Sequence, residues 1–393
     1  MKKNYFPVYS FLWIWIVSNV CANPYVFGQA LTSTSLEVQS ANQPAIIKAI
    51  GRQHIIYELR LTNWGKDSIA VTELSVYDQS VPQRELSSST KEEVFRKSYA
   101  PNHLLGPDKK AEFSLAPGGS GILYQWLTVP SAYTPSDSLI HRFEIESAID
   151  MDSLWVSIPL RVTLEPEQIQ MPIGEGVWVT VRAPSNSSGH RKSFHVHEGE
   201  RRAAERFAID WVKLNEEGYL YKNEPGSNEN WFSYNEPVRS VSSGKVVHVK
   251  DGLPDQQPLA LAREPKSFTL DTVPGNTIVV EMGNGKYAIY AHLKNGSIKV
   301  EVGEEVQEGD IIGRIGNSGH SLAPHLHFHI EDRATPLTGR AIPFSIKAFD
   351  LIGKLDSLPR ALRGAPWTPD SRRPQRLVEN ETPLENMVIR VFE

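Results

Sequence analysis

The chain has 393 residues, 40% hydrophobic and 22% charged, a globular balance with length for about two domains plus attachments. Its formal net charge of −5 argues against nucleic acid, or an anionic membrane surface, as the main partner.

Lys2 and Lys3 precede the apolar run Phe11 to Val17, "FLWIWIV", which is too short to span a bilayer comfortably. Small residues then offer cleavage after Ala22 or Ala30. Residues 1–30 therefore read as an export signal, and the mature protein is expected in the periplasm or outside the cell, with no membrane span after cleavage. A retained anchor is the other reading. Cys21 is the only cysteine, so cleavage leaves no disulfide, no thiol nucleophile and no thiolate metal site. Chemistry then falls to His, Asp, Glu and Ser.

Residues 31–165 read as strand after strand. In "HIIYELRLTN" Tyr57, Leu59 and Leu61 alternate with Glu58, Arg60 and Thr62. "SIAVTELSVY", "GILYQWLTV", "HRFEIES" and "LWVSIPLRVTL" follow, separated by Pro, Gly, Ser and Asp clusters. This spacing predicts an antiparallel, Ig-like β-sandwich. It shows no group of ionisable residues resembling a site, so a spacer or binding module is expected. Residues 166–175 read as a linker and 176–343 as a second β-rich domain. There "NTIVVEMGNGKYAIYAHL" is a hairpin turning at Asn284-Gly285, and "VGEEVQEGDIIGRIG" turns at Gly303, Gly309 and Gly313. Residues 344–393 read as a Pro- and Arg-rich extension along the surface. The fold class is all-β.

Four of the twelve histidines fall in "GHSLAPHLHFHI", Gly319 to Ile330. From His325 on they alternate with Leu326, Phe328 and Ile330, the period of a strand whose two faces differ. A solvated polar face is one explanation. The other is a zinc site, where two imidazoles on one strand converge with a ligand from a neighbouring strand. Asp210, an isolated acid in the apolar "RFAIDWV", suits that role, and a salt bridge is the plainer reading of it.

"YAHL" (Tyr290 to Leu293), "VGEEVQEGDIIGRIGNSG" and "PHLHFHI" (Pro324 to Ile330) resemble, in this order and spacing, the lysostaphin/LytM-type zinc endopeptidases. The resemblance spans roughly residues 176–333. It implies a β-sheet peptidase domain, one zinc ion, and hydrolysis of peptide bonds in cell-wall peptidoglycan by a wall-associated enzyme, with a protein activator as a potential partner. By position, Asp210 and His327 resemble zinc ligands, His325 the histidine handling the proton of the attacking water, and His292 the one facing the scissile carbonyl. Arg206 stands four residues before Asp210, where the family places its first ligand histidine. A guanidinium has no free lone pair and repels a cation. The replacement expected is His190, in an "SGHR" element of this divergent branch; His195, His197 and Glu205 are the alternatives. His329, where the family usually has Glu, and His320 are read as structural. The competing function is a catalytically inactive relative that binds the wall or activates a partner.

Overall fold

The computed structural model describes residues 35–99, 112–134, 136, 138–147, 151–159, 166–260, 268–370 and 375–392. The expected export segment, residues 1–30, lies outside the described residues.

The architecture is all-β. Among the described residues, two five-stranded antiparallel sheets form the first half. One contains the strands Leu36–Ser40, Ala45–Ala49, Arg52–Asn63, Ser98–Tyr99 and Ser120–Pro130, and the other Ile69–Asp78, Val81–Ser89, Phe113–Leu115, Ser138–Ser147 and Met151–Pro159. Tyr57, Leu59 and Leu61 from the first sheet and Leu74, Val76 and Phe143 from the second are fully buried in one shared core. The alternation read in "HIIYELRLTN" thus directs its apolar members inward. Its polar face does not meet water throughout, however: Glu58 is 0% exposed.

The second half is built on a twelve-stranded sheet. Its middle runs Gly176–Val181, Ile209–Leu214, Leu326–Glu331, Lys286–Leu293, Asn276–Gly283 and Gly244–Lys250, each antiparallel to the next. The turn at Asn284-Gly285 has both residues at positive φ, 54° and 69°, which matches the twist of the flanking strands. Leu326, Phe328 and Ile330 are fully buried in the core beneath this sheet, with Tyr290, Trp211 and Phe344.

Two segments are more embedded than their composition suggests. Glu167–Ile169, expected in a linker, pairs in parallel with Phe344–Lys354, and Ile169, Met171 and Ile173 enter the core. Residues 344–393, expected as a surface extension, contribute the strands Phe344–Lys354, Arg376–Glu381 and Met387–Val391 to the sheet. Proline and arginine at turns disguise the apolar positions that bury these strands, Phe344, Ile346 and Ile389 in one core and Val388 in another. The two halves also meet: Ala45, Ile47 and Ile56 of the sandwich belong to the core under the large sheet. At the same junction Thr382 N–H donates to the Lys48 carbonyl at 2.7 Å.

Candidate functional site

Strand register assembles the site. Asp210 lies directly opposite His327, and His327 directly opposite Ala291, the neighbour of His292. Because side chains alternate along a strand, burying Leu326 and Phe328 on one face places His327 and His329 on the other. That other face is covered too, since every residue of Leu326–Glu331 is buried. A simple solvated face is therefore ruled out for these histidines.

His190 arrives from outside the sheet, in the four-residue helix Gly189–Lys192. The Ser-rich loop before it is tied down by the C-terminal segment: the Ser185 and Ser187 hydroxyls donate to Glu385 Oε2 at 2.6 and 2.9 Å. His190 Nδ1 bonds the Arg182 carbonyl at 2.9 Å. A carbonyl only accepts, so Nδ1 carries the proton, and Nε2 is left with its lone pair facing Asp210 Oδ1 at 3.5 Å. His327 reaches the same oxygen with Nδ1 at 2.9 Å. Among the described residues His190, Asp210 and His327 form a group whose ligand atoms all lie within 4.8 Å of one another.

His327 is itself oriented by a chain of bonds. Its Nε2 lies 3.0 Å from His329 Nδ1, and His329 Nε2 lies 3.3 Å from Glu331 Oε1. Glu331 also accepts the backbone N–H of Leu337 at 2.9 Å and that of Gly339, which suits an ionised carboxylate. With His329 donating to it from Nε2–H, the row runs on to His327 Nε2–H as donor to His329 Nδ1. His327 then turns an Nδ1 lone pair toward a carboxylate oxygen 2.9 Å away. A proton on Nδ1 or a metal ion would each join these two atoms. Two imidazole nitrogens, each backed by a second bond, and one carboxylate are the donor set zinc takes. The residues present fit that ion.

His292 and His325 flank the group. Their ring centroids are 4.8 Å apart, and His292 lies 5.8 Å from His327. His292 Nδ1 donates to the Ser318 carbonyl at 2.8 Å and His325 Nδ1 to the Ala323 carbonyl at 2.7 Å. Each ring therefore offers only Nε2 to a ligand, and His325 Nε2 is 3.4 Å from Asp210 Oδ1. His292 has φ of 60°, a left-handed conformation that costs a non-glycine residue energy and tends to persist at functional sites. The two segments that flank it, at Pro274 and Ser318, are packed backbone to backbone. Gly275 and Gly319, both at positive φ, leave no room for a Cβ, which would meet the Ser318 carbonyl at 2.5 Å and the Gly275 nitrogen at 2.4 Å.

Burial and charge oppose each other in the cluster. Burial alone would raise the Asp210 carboxyl, but His190, His325 and His327 hold it well below its ordinary value. Burial lowers His292 well below its ordinary value, with His325 and His327 adding to the effect. For His325 burial is outweighed by Asp210, and its value rises.

The other histidines separate by position. His195 is half-buried, with Nε2 3.8 Å from Glu205 Oε2. His197 Nε2 lies 3.8 Å from Glu198 Oε2. His320 is exposed, against the edge of Phe268. Glu205, the last of the alternatives for the Arg206 gap, sits 3.5 Å from His327 Nε2. Despite burial its carboxyl is held low, by His195, His327 and His190. His329 and Glu331 continue the alternation as "HLHFHIE", a pattern that marks them as one face with His327. Arg206 does not face the cluster with its charge: its donors go to Glu58 and to the Gln43 and Ile56 carbonyls.

Residues 231–338 match the family described as peptidase family M23, a span that includes His292, His325 and His327 and begins after Asp210. The glycyl-glycine endopeptidase ALE-1 of Staphylococcus capitis is 30% identical over 135 residues, 32% of this chain and 32% of that protein. The peptidoglycan DD-endopeptidase ShyA of Vibrio cholerae is 38% identical over 63 residues, 16% of this chain and 14% of the relative. The solved catalytic domain of lysostaphin from Staphylococcus simulans aligns at 28% identity over 32% of this chain and 86% of that one, with a TM-score of 0.21. The chain thus spans 32% or less of these two curated relatives' length. The segment of residues 231–338, which carries His292, His325 and His327, is a region of peptidase family M23.

Proposed function

We propose that this protein is an exported zinc metalloendopeptidase that hydrolyses peptide bonds of cell-wall peptidoglycan. The observation that carries the reading is the convergence of His190 Nε2, His327 Nδ1 and His325 Nε2 on one oxygen of Asp210, at 3.5, 2.9 and 3.4 Å. His190, Asp210 and His327 are the ligands, three protein donors being the usual complement of a catalytic zinc. When bound, zinc supplies Lewis acidity toward water and a peptide carbonyl.

The chain's own residues do the rest. His325 takes the proton of the attacking water at Nε2, the only ring nitrogen it has free, and returns it to the leaving amine. His292 faces the carbonyl oxygen with the corresponding atom. Holding Nδ1 on a backbone carbonyl fixes both rings, so neither reorganises as charge develops. The substrate class follows the relatives, whose names describe cleavage of glycyl-glycine bonds and of peptidoglycan. Export is supported by the basic and apolar segment at the start of the sequence. No helix among the described residues is long and apolar enough to cross a membrane. The feature that favoured an inactive relative was Arg206, whose charge is committed to the sandwich.

The test is metal content with hydrolysis. The purified protein should carry about one zinc per chain, the stoichiometry of a mononuclear site. It should release peptide fragments from peptidoglycan, stop on chelation and recover with zinc. His325→Ala should keep its zinc and lose roughly 10²–10⁴ in rate, the scale of a positioned acid–base group. A protein that takes up no zinc when zinc is supplied ends this reading.

A further inference from the structure

We infer that Glu58, in the sandwich strand Arg52–Asn63, is a positioning residue of the metal site, acting through Arg191 and Arg206. The inference rests on the zinc reading above. Glu58 is 0% exposed, Arg191 1% and Arg206 4%. Glu58 Oε1 accepts from Arg191 Nε at 2.7 Å and from Arg206 Nε at 3.1 Å, and Oε2 from Asn42 Nδ2 at 3.0 Å. The remaining guanidinium donors are also placed. Arg191 Nη2 reaches the Tyr57 and Gln125 carbonyls at 3.0 and 2.8 Å, and Nη1 reaches Asn186. Arg206 Nη1 and Nη2 reach the Gln43 and Ile56 carbonyls at 2.8 and 2.7 Å.

Buried charges tolerate this setting only while paired and hydrogen-bonded. The rigid fork of arginine lets each guanidinium occupy one position against these acceptors. Those positions transmit to the site through the backbone. Arg191 is the residue after His190, and Arg206 is the residue after Glu205 and four before Asp210. One carboxylate from the first half of the chain therefore holds both the segment that brings His190 and the one that leads into Asp210. The charge that would repel a metal at position 206 is instead drawn into the sandwich, and the ligand it displaces is supplied beside its twin, Arg191. On this account the sandwich is part of the site, and a metal centre held to a few tenths of an ångström responds to it.

The experiment uses the full mature chain and compares wild type with Glu58→Gln, which keeps the shape and removes the charge. Zinc affinity is measured by competition with a chromophoric chelator. Cobalt(II) replaces zinc for a visible spectrum, and the thermal midpoint of the metal-free protein is recorded. We expect zinc binding roughly 2–30-fold weaker, the scale of coupling carried through a bonded network, with cobalt bands displaced from wild type. Wild-type affinity and spectrum in Glu58→Gln overturn the inference, whatever happens to the midpoint, because a merely structural clamp would move the midpoint alone. If Glu58→Gln does not fold, Glu58→Asp, which keeps the charge and withdraws it by one methylene, decides by the same two readings. A wild-type chain that binds no zinc sinks the functional reading and this inference together, whereas zinc-binding wild type with an unaltered variant sinks only the inference.

Discussion

His190 owes its place to three bonds of different origin: its own Nδ1 on the Arg182 carbonyl, the Ser188 hydroxyl on that same carbonyl at 2.7 Å, and Arg191 anchored on Glu58. Its ring packs edge-on against His327, centroids 4.7 Å apart. Burial lowers its proton affinity, with Asp210 opposing. A histidine kept neutral with one nitrogen committed is suited to ligation. His190→Ala should weaken zinc binding by at least an order of magnitude, since it leaves two protein ligands where catalytic sites use three. His197→Ala, which removes a ring outside the His190, Asp210 and His327 group, should leave affinity within twofold of wild type by the same ligand count. Equal effects in a chelator competition would mean that His190 is no ligand.

The strand Leu326–Glu331 performs two tasks with one period. Its apolar face packs Phe328 against Tyr290 and Phe344, ring centroids 5.2 Å from each, and fixes the height of the strand in the sheet. Its polar face carries His327, His329 and Glu331 as a bonded row. The row explains why a histidine suffices at 329: its two nitrogens pass the influence of Glu331 on to His327, which a side chain with one polar end could not do. His329→Leu should leave the apolar face packed and the protein folded by near-ultraviolet circular dichroism. It should weaken zinc binding by about 10–100-fold, because His327 loses the partner that sets its tautomer. Unchanged affinity would show that His327 needs no such partner.

The described residues cluster as one compact unit, and the Glu58 clamp lies where the sandwich meets the large sheet. Its electrostatics give stability a pH dependence of definite sign. Burial alone would raise the Glu58 carboxyl, but Arg206 and Arg191 outweigh it and hold it below its ordinary 4.5. The folded state therefore gives up this proton more readily than the unfolded state. The stabilisation is complete above the unfolded value and is lost as pH falls through the lower folded value. The difference in unfolding free energy between wild type and Glu58→Gln should be level near neutrality and shrink from about pH 5 downward. At neutral pH it should be about 3–5 kcal/mol, the cost of leaving buried guanidinium charge uncompensated. Denaturant titrations at several pH values measure it, and a gap that widened on acidification would contradict the depressed carboxyl.

The sequence by itself determined the strand character of the chain, because period-two apolar spacing dictates which face of a strand enters a core. It also located the turn at Asn284-Gly285 and the run from His325 to His329, where composition and period coincide. The strand in 166–175 and the three strands after residue 343 escaped it, since their pairing partners are remote in sequence and nothing local marks them. Only the tertiary structure decided that the polar face of Leu326–Glu331 is buried, that His190 meets Asp210 across 19 residues of intervening chain, and that Arg206 is neutralised. Glu58 is the sharpest case. Alternation alone makes it an ordinary outward-facing residue of a sandwich strand, and its meaning depends on two arginines about 130 and 150 residues away. Periodicity reports which side of a strand a residue faces; what covers that side is set by long-range packing of the whole chain.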